Sequence, residues 1–305
     1  MEAYTRLVKP NAPEAKKRFG QHFLRDTGVL DRIVRWIGPG PGDLFLEIGA
    51  GTGALSRLLA GHAERLWAVE LDRDCIPLLE DALAPFPGAS VIGADILKFD
   101  FGLLPAPGPG QRLRVAGNLP YNIATATIER LFDSRLEPAD MFFMLQLEVA
   151  QRIAAPPGSR LYGYLSVRCQ YHAEVRMGFR VSPSCFVPRP AVSSAMIALT
   201  PRAGRRGPGW EAHFDLLCKG AFAHRRKTLG NSLSLHPQLG KIAPALLEAA
   251  GTDGRRRAED LSVEEYVRLA SAFHDHFVPC APPADPGVSQ KVRLGYTAPL
   301  PGKTS

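Results

Sequence analysis

Leu44-Phe45-Leu46-Glu47-Ile48-Gly49-Ala50-Gly51-Thr52-Gly53-Ala54 is the stretch that decides the fold. A short apolar run that breaks on glycines reads as a buried parallel strand turning sharply into a helix. The glycines permit the turn and let a ligand approach the backbone, so a nucleotide-like molecule is expected there. On spacing alone Gly49, Gly51 and Ala54 also satisfy the dinucleotide pattern, which keeps a nicotinamide or flavin enzyme open at this point. Working outward, Leu66 to Val69, Ser90 to Gly93, Leu113 to Gly117 and Met141 to Leu145 repeat the short apolar run with amphipathic stretches between them. That alternation predicts a parallel sheet with crossover helices.

The strand ends carry the chemistry. Glu70 ends the second strand about 20 residues after the glycine loop, where a carboxylate can accept from both hydroxyls of an adenosine ribose. Asp95 ends the third, in Gly93-Ala94-Asp95-Ile96, where it can accept from an adenine amino group. Each alone reads equally well as a cap or a surface charge. Together, at successive carboxyl ends of an open sheet, they point to an S-adenosylmethionine site. Asn118-Leu119-Pro120-Tyr121 closes the fourth strand. In isolation it reads as a turn. Beside a cofactor site, its amide oxygen and the carbonyl before the proline offer acceptors for an exocyclic amine, and the tyrosine offers a face for a nucleobase.

The rest of the chain frames this unit. Val29, Ile33, Val34 and Ile37 recur at helical spacing behind Asp26, a candidate N-cap. Leu161 to Tyr171 reads as a further helix, and Ala173 to Val181 with Ser193 to Leu199 as a strand pair at one sheet edge. Residues 201 to 209 combine Pro, Gly and Arg and mark a linker. Beyond it only helical patterns occur: Trp210 to Ala223, Arg226 to Leu235, Lys241 to Ala250 and Ser262 to Phe277. The expected organisation is a basic arm and cofactor motif over 1–25, an α/β domain over 26–203, a small all-helical domain over 204–277, and a Pro- and Gly-rich tail over 278–305.

With 305 residues, 45% of them hydrophobic, the chain suits one large and one small packed domain. A formal charge of +7 and a pI of about 9.3 favour a polyanionic partner, with nucleic acid ahead. Five cysteines, odd in number and without a C-x-x-C, indicate neither a disulfide framework nor a zinc cluster. No apolar run of about 18 residues and no signal-peptide core occur, so a membrane span is not expected and the cytoplasm is the default.

Taken together, these motifs resemble the ribosomal RNA adenine dimethyltransferases of the KsgA type over residues from about 16 to 277. The resemblance is carried by Lys17-Arg18-Phe19-Gly20-Gln21-His22-Phe23-Leu24, the glycine loop, Glu70-Leu71-Asp72, Asn118-Leu119-Pro120-Tyr121-Asn122-Ile123, the Pro-flanked Phe186 segment, and Arg225-Arg226-Lys227-Thr228-Leu229. It implies a class I S-adenosylmethionine-dependent, Rossmann-like methyltransferase sheet with a helical domain behind it. It also implies cofactor contacts from His22, Leu24, Gly49, Gly51, Glu70, Asp95, Ile96 and Asn118. Two departures stand out. His22 replaces the family's usual Asn, so a lower or pH-dependent cofactor affinity is expected. Leu147 replaces the usual Lys and removes one basic contact.

The implied reaction is methyl transfer to the N6 amine of two adjacent adenosines near the 3′ end of small-subunit ribosomal RNA, on an immature particle, by a monomeric enzyme that needs no metal. Adenine's amine is a poor nucleophile because its lone pair is delocalised. Acceptors at the Asn118 side chain and the Leu119 or Pro120 carbonyl localise that pair, so positioning is the main catalytic effect. Tyr121 is expected on one face of the extruded base and Phe186, by resemblance, on the other, at roughly 1–3 kcal/mol per contact. Lys16, Lys17 and Arg18, and Arg225, Arg226 and Lys227 at the start of a helix, are expected to neutralise phosphates. Arg255, Arg256 and Arg257 are assigned a structural role, with Glu259 and Asp260 nearby. The rivals are an Erm-type large-subunit methyltransferase, a DNA adenine methyltransferase, a non-catalytic RNA-binding or transcription factor, and a dehydrogenase. The last explains only the glycine loop and Glu70.

Overall fold

A computed structural model describes residue 16 and residues 20–134, 136–204 and 207–277. Seven strands form one sheet: β2 (Asp43–Ile48), β3 (Arg65–Glu70), β4 (Ala89–Gly93), β5 (Arg112–Asn118), β6 (Asp140–Gln146), β7 (Ala173–Val181) and β9 (Ser194–Pro201), in the order β4-β3-β2-β5-β6-β9-β7. The first five are parallel and β9 runs antiparallel to both β6 and β7. The expected edge pair is therefore present with its order inverted: β9 lies inside and β7 is the free edge. A second, two-stranded sheet joins β1 (Phe23–Leu24) to β8 (Phe186–Val187), a pairing too short to leave a periodic signal.

Alternation within the strands divides the core. Every residue of β2 is buried; Leu44, Leu46 and Ile48 enter one apolar cluster while Phe45 enters the other. Trp67 and Val69 of β3 follow the first set, Leu66 and Ala68 the second. Burial on both faces is what made these strands read as continuous apolar runs. The helix α1 (Thr27–Ile37) covers the second face with Leu30, Ile33 and Ile37, and the Asp26 carboxylate accepts from the Val29 N–H at its start. The helices α2 (Ser56–Ala60) and α3 (Ile76–Leu83) lie on that side, with Leu59 and Leu79 in the same cluster. On the opposite face are α4 (Ala124–Asp133) and α5 (Leu147–Ile153), whose Ile128, Leu131 and Ile153 join the first cluster.

A third cluster belongs to α7 (Pro208–Phe222), α8 (Leu229–Ser234), α9 (Ala243–Ala249) and α10 (Val263–Phe277). It also recruits Ala155, Tyr162 and Val167 from before the linker. The helix α6 (Tyr164–His172) thus serves both units: Val167 packs with the helical cluster while Leu165 and Cys169 pack with the sheet. Its Arg168 guanidinium bridges Asp133 of α4 and Asp215 of α7, and the Tyr164 hydroxyl donates to the same Asp215 at 2.6 Å. Two helix starts fall three residues later than expected. Helix α6 starts three residues later than Leu161, where the Gly163 N–H donates to Ser166 Oγ. Helix α8 starts only after Thr228, which caps it, so Arg225, Arg226 and Lys227 occupy the preceding turn.

The amino-terminal edge of the sheet is fixed by one buried guanidinium. Arg114, 4% exposed, donates to Asp140 Oδ1 and Oδ2 at 2.7 and 2.9 Å, to Asp43 Oδ2 at 2.8 Å and to the Ile37 carbonyl at 2.8 Å. It ties β5 to β2, β6 and the end of α1. Removing one member of such a buried pair leaves an uncompensated charge, so Arg114→Ala is expected to lower the unfolding free energy by about 3–5 kcal/mol in urea titrations. A loss under about 1 kcal/mol, as for a surface pair, would show that the cluster contributes no such constraint.

Candidate active site

The strand order reverses between β2 and β5, and at that switch point the carboxyl ends of the parallel strands open into a cavity of about 310 Å³. Three loops form its floor. The first is the glycine turn after β2. Gly51 has φ +58°, and a Cβ there would sit 3.3 Å from the Phe23 ring, so the turn accepts no side chain without displacing the N-terminal strand. The second is the end of β5, where a Cβ on Gly117 would lie 2.4 Å from the Ile48 carbonyl. Gly117 is required because backbone meets backbone where β5 passes β2, and Gly51 because the turn takes a positive φ beneath the Phe23 ring. The third is the N-terminal segment, whose β1 reaches the site through its pairing with β8.

His22, Leu24, Gly49, Gly51, Glu70, Asp95, Ile96, Asn118, Leu119, Pro120 and Tyr121 all line this one cavity. Glu70 Oε2 accepts from the Gly51 N–H at 2.7 Å, and Oε1 from the N–H groups of Leu71 and Asp72 at 2.9 and 2.8 Å. With three N–H groups on a carboxylate that has about four acceptor positions, Oε2 is the Glu70 oxygen that keeps capacity for a ribose hydroxyl. Asp95 Oδ1 takes the Leu97 N–H at 3.0 Å, which leaves Oδ2 without a hydrogen-bond partner among the described residues. That fits an acceptor for an adenine amino group. Together with the glycine turn and the apolar walls from Ile96 and Leu71, these groups suit the adenosine of S-adenosylmethionine.

Asn118 is held from one side only. Its Nδ2 donates to the His22 carbonyl at 3.0 Å, which orients the amide and leaves Oδ1 unengaged among the described residues. The neighbouring carbonyls divide unequally. Pro120 O accepts from the Ile123 N–H at 3.1 Å, whereas the Leu119 carbonyl accepts from no described group. Of the two carbonyls left open by the sequence, Leu119 is the available one. The Tyr121 hydroxyl is 2.7 Å from Ser194 Oγ, and burial pushes the phenol up, with the Ser194 bond opposing, so the ring stays neutral. His22 packs against it at 5.3 Å between centroids, its Nδ1 donating to the Pro188 carbonyl at 2.8 Å. Since a carbonyl only accepts, Nδ1 carries the proton.

Phe186 requires a correction. It is 2% exposed, packs in the core cluster with Leu24 and Leu30, and does not line the cavity. Its strand pairs with β1 through Leu24, which places the ring beneath the N-terminal strand instead of opposite Tyr121.

Lys16 requires another. Its ammonium pairs with Asp72 at 2.5 Å and Asp74 at 2.6 Å, and Gln21 Nε2 donates to Asp72 Oδ2 at 2.8 Å. The charge assigned to phosphate instead pins the N-terminal segment to the loop after β3; Lys17 and Arg18 lie outside the described residues. Arg225, Arg226 and Lys227 are exposed, Arg225 donating to the Arg160 carbonyl at 2.7 Å. Arg255, Arg256 and Arg257 are paired with Asp253, Glu265 and Glu259. Leu147, the other departure, donates its N–H to Ser193 O at 2.9 Å and packs on the core.

Sequence reasoning passed over three site residues. Phe23 and Ser194 gave no signal, since their roles come from contacts with Gly51 and Tyr121 far along the chain. Glu47 did give one, as an acid inside an apolar strand. It is 2% exposed, lines the cavity, and its Oε2 meets no partner among the described residues. Burial, with the Glu70 charge adding to it, pushes its carboxyl up to about 8.

The fold and site define a class I S-adenosylmethionine-dependent methyltransferase. Among solved structures the chain is similar to a dimethyladenosine transferase from Plasmodium falciparum (TM-score 0.71, 23% identity, covering 83% of this chain and 98% of that one). It is also similar to the 23S rRNA methyltransferase ErmE (TM-score 0.62, 25% identity, 83% and 99%). The ribosomal RNA adenine dimethylase family model matches residues 12–275, and the chain belongs to that family. Curated relatives named ribosomal RNA small subunit methyltransferase A are 48% identical over 263 residues in Saccharophagus degradans (85% of this chain, 94% of the relative) and 47% over 269 residues in Chromohalobacter salexigens (86% and 93%).

Glu47 gives the site a stability signature. Unfolded, the carboxyl releases its proton near 4.5; folded, it retains it to about 8. The unfolded state thus binds fewer protons between those values, and stability falls as pH rises through that window. Subtracting a Glu47→Gln profile from that of the wild type is expected to show this decline, levelling off above about pH 8. A flat difference would mean Glu47 is ionised in the folded protein.

Proposed function

We propose that the chain dimethylates the N6 amines of two adjacent adenosines near the 3′ end of small-subunit ribosomal RNA, acting on an immature subunit as a monomer. The observation that carries this is the amine grip. Asn118 Oδ1 and the Leu119 carbonyl are open acceptors beside a neutral tyrosine ring, at the mouth of a cavity suited to the cofactor. When bound, S-adenosylmethionine supplies an electrophilic methyl group on a sulfonium leaving group. The chain's own residues prepare the nucleophile. Hydrogen bonds from the amine to the two oxygens favour a pyramidal nitrogen, which withdraws its lone pair from the ring and fixes its direction. Tyr121 holds the extruded base flat, offsetting part of its unstacking cost. The alkylated nitrogen sheds its extra proton to water, so no buried base is needed. A monomethylated amine keeps one hydrogen, and one of the two acceptors suffices to orient it for a second transfer.

The small-subunit assignment is supported by the 47–48% identity to relatives bearing that name, against 25% to the large-subunit enzyme. No helix among the described residues is long and apolar enough to cross a membrane.

Methyl transfer from labelled cofactor to unmethylated small and large subunits in parallel tests the reading. Dimethyladenosine is expected in small subunits alone. Asn118→Ala is expected to lower the rate at least about 100-fold, the scale of losing one preorganised hydrogen-bonding group. Label in large subunits, or undiminished transfer by Asn118→Ala, would contradict it.

A further inference from the structure

One face of the molecule exposes two arginines that no carboxylate among the described residues pairs with. Arg32 of α1 lays its guanidinium carbon 3.9 Å over the Phe179 ring, and Arg176 of β7 lies 5.0 Å over Trp36. The two rings meet edge to face at 6.1 Å, so the groups form one row, Arg32-Phe179-Trp36-Arg176. Gly178 makes room for it: a Cβ there would be 2.9 Å from the Trp36 ring. Arg180 is exposed as well, but the bulge between Met177 and Arg180 turns it to the other face of the sheet from Phe179 and Val181. Among the described residues Arg32 and Arg176 form no ion pair, and Asp31 and Glu174, on the same elements, form none with them. Arg114, Arg152, Arg168 and Arg255 by contrast each hold a carboxylate, so it is the aromatic support, and not the lack of a partner alone, that marks Arg32 and Arg176.

Direction matters as much as charge. Because β7 and β6 both run antiparallel to β9, β7 points the same way as the parallel strands. From Arg176 the strand therefore leads towards the edge where the cavity opens. From there the chain enters β8, beside Arg25, whose N–H donates to Cys185 O at 2.9 Å. A guanidinium fixed on a ring keeps its donor edge free for the fork contact it makes with a phosphate. Charge on an edge strand also prevents sheet extension, but that calls for any charge and not for arginine laid on aromatic rings.

We propose that α1 and β7 form a second RNA-binding surface, separate from the Arg225–Lys227 turn, that holds the phosphate backbone leading to the target adenosines. This rests on the reading of the chain as a ribosomal RNA methyltransferase.

The test compares the full chain with Arg32→Gln/Arg176→Gln and with the corresponding double Lys variant. The probe is a fluorescent 3′-terminal small-subunit rRNA fragment, titrated at several salt concentrations. The Gln double variant is expected to bind about 10-fold more weakly near 0.1 M salt, with its log–log salt slope smaller by about 1.4, at roughly 0.7 per lost phosphate contact. The Lys double variant should keep the slope, and both should bind S-adenosylmethionine as the wild type does. An unchanged slope in the Gln double variant, or equal loss in the Lys double variant, would overturn the proposal. So would loss of polyglutamate binding with RNA binding intact, which would assign the face to an acidic protein. Methyl transfer by the wild type to small subunits reads the underlying function separately.

Discussion

The hydrogen bond from Asn118 Nδ2 to the His22 carbonyl decides what this site can do. An amide has two ends, and in solution either can face an incoming amine. Committing the donor end to the N-terminal segment leaves an acceptor at the place where a nucleophilic nitrogen needs one. The segment must itself be held for this to work. Pairing of β1 with β8, the His22 contact to Pro188, and the Lys16-Asp72-Gln21 cluster provide that hold. The catalytic loop is thus oriented by residues nearly a hundred positions away in sequence.

The same economy appears in the charges. Ions at Arg168 and Lys16 join elements that share no ladder, Arg114 adds to the β2-β5-β6 ladder a tie to the end of α1, and each is matched by carboxylates. Glu47 is the exception, a protonated acid under the glycine turn. The net positive charge is therefore left to exposed groups, among them the Arg225–Lys227 turn and the ring-supported Arg32 and Arg176.

The sheet was legible because its strands are buried on both sides and its turns demand glycine at Gly49, Gly51 and Gly117. The strand-end residues were legible for the same reason, since a polar group at the end of such a run points to a ligand edge. Contacts at long sequence separation were not legible. Lys16 meets Asp72 only because the N-terminal segment folds over the loop after β3, and as a sequence it reads as one more basic residue. Phe186 sits in a proline-rich loop that suggests exposure, and only its two-residue pairing with Leu24 buries it. The helix ends near Gly163 and Thr228 depend on local caps that the apolar periodicity runs past.

The most direct test is a crystal structure of the chain with S-adenosylhomocysteine and a short single-stranded oligonucleotide containing adenosine. The account predicts the adenine amino nitrogen within about 3 Å of Asn118 Oδ1 and of the Leu119 carbonyl. The Asn118 Nδ2 bond to His22 should be intact and the base stacked on Tyr121. An Asn118 amide turned away from His22, or an adenine whose amino group finds neither oxygen, would contradict it.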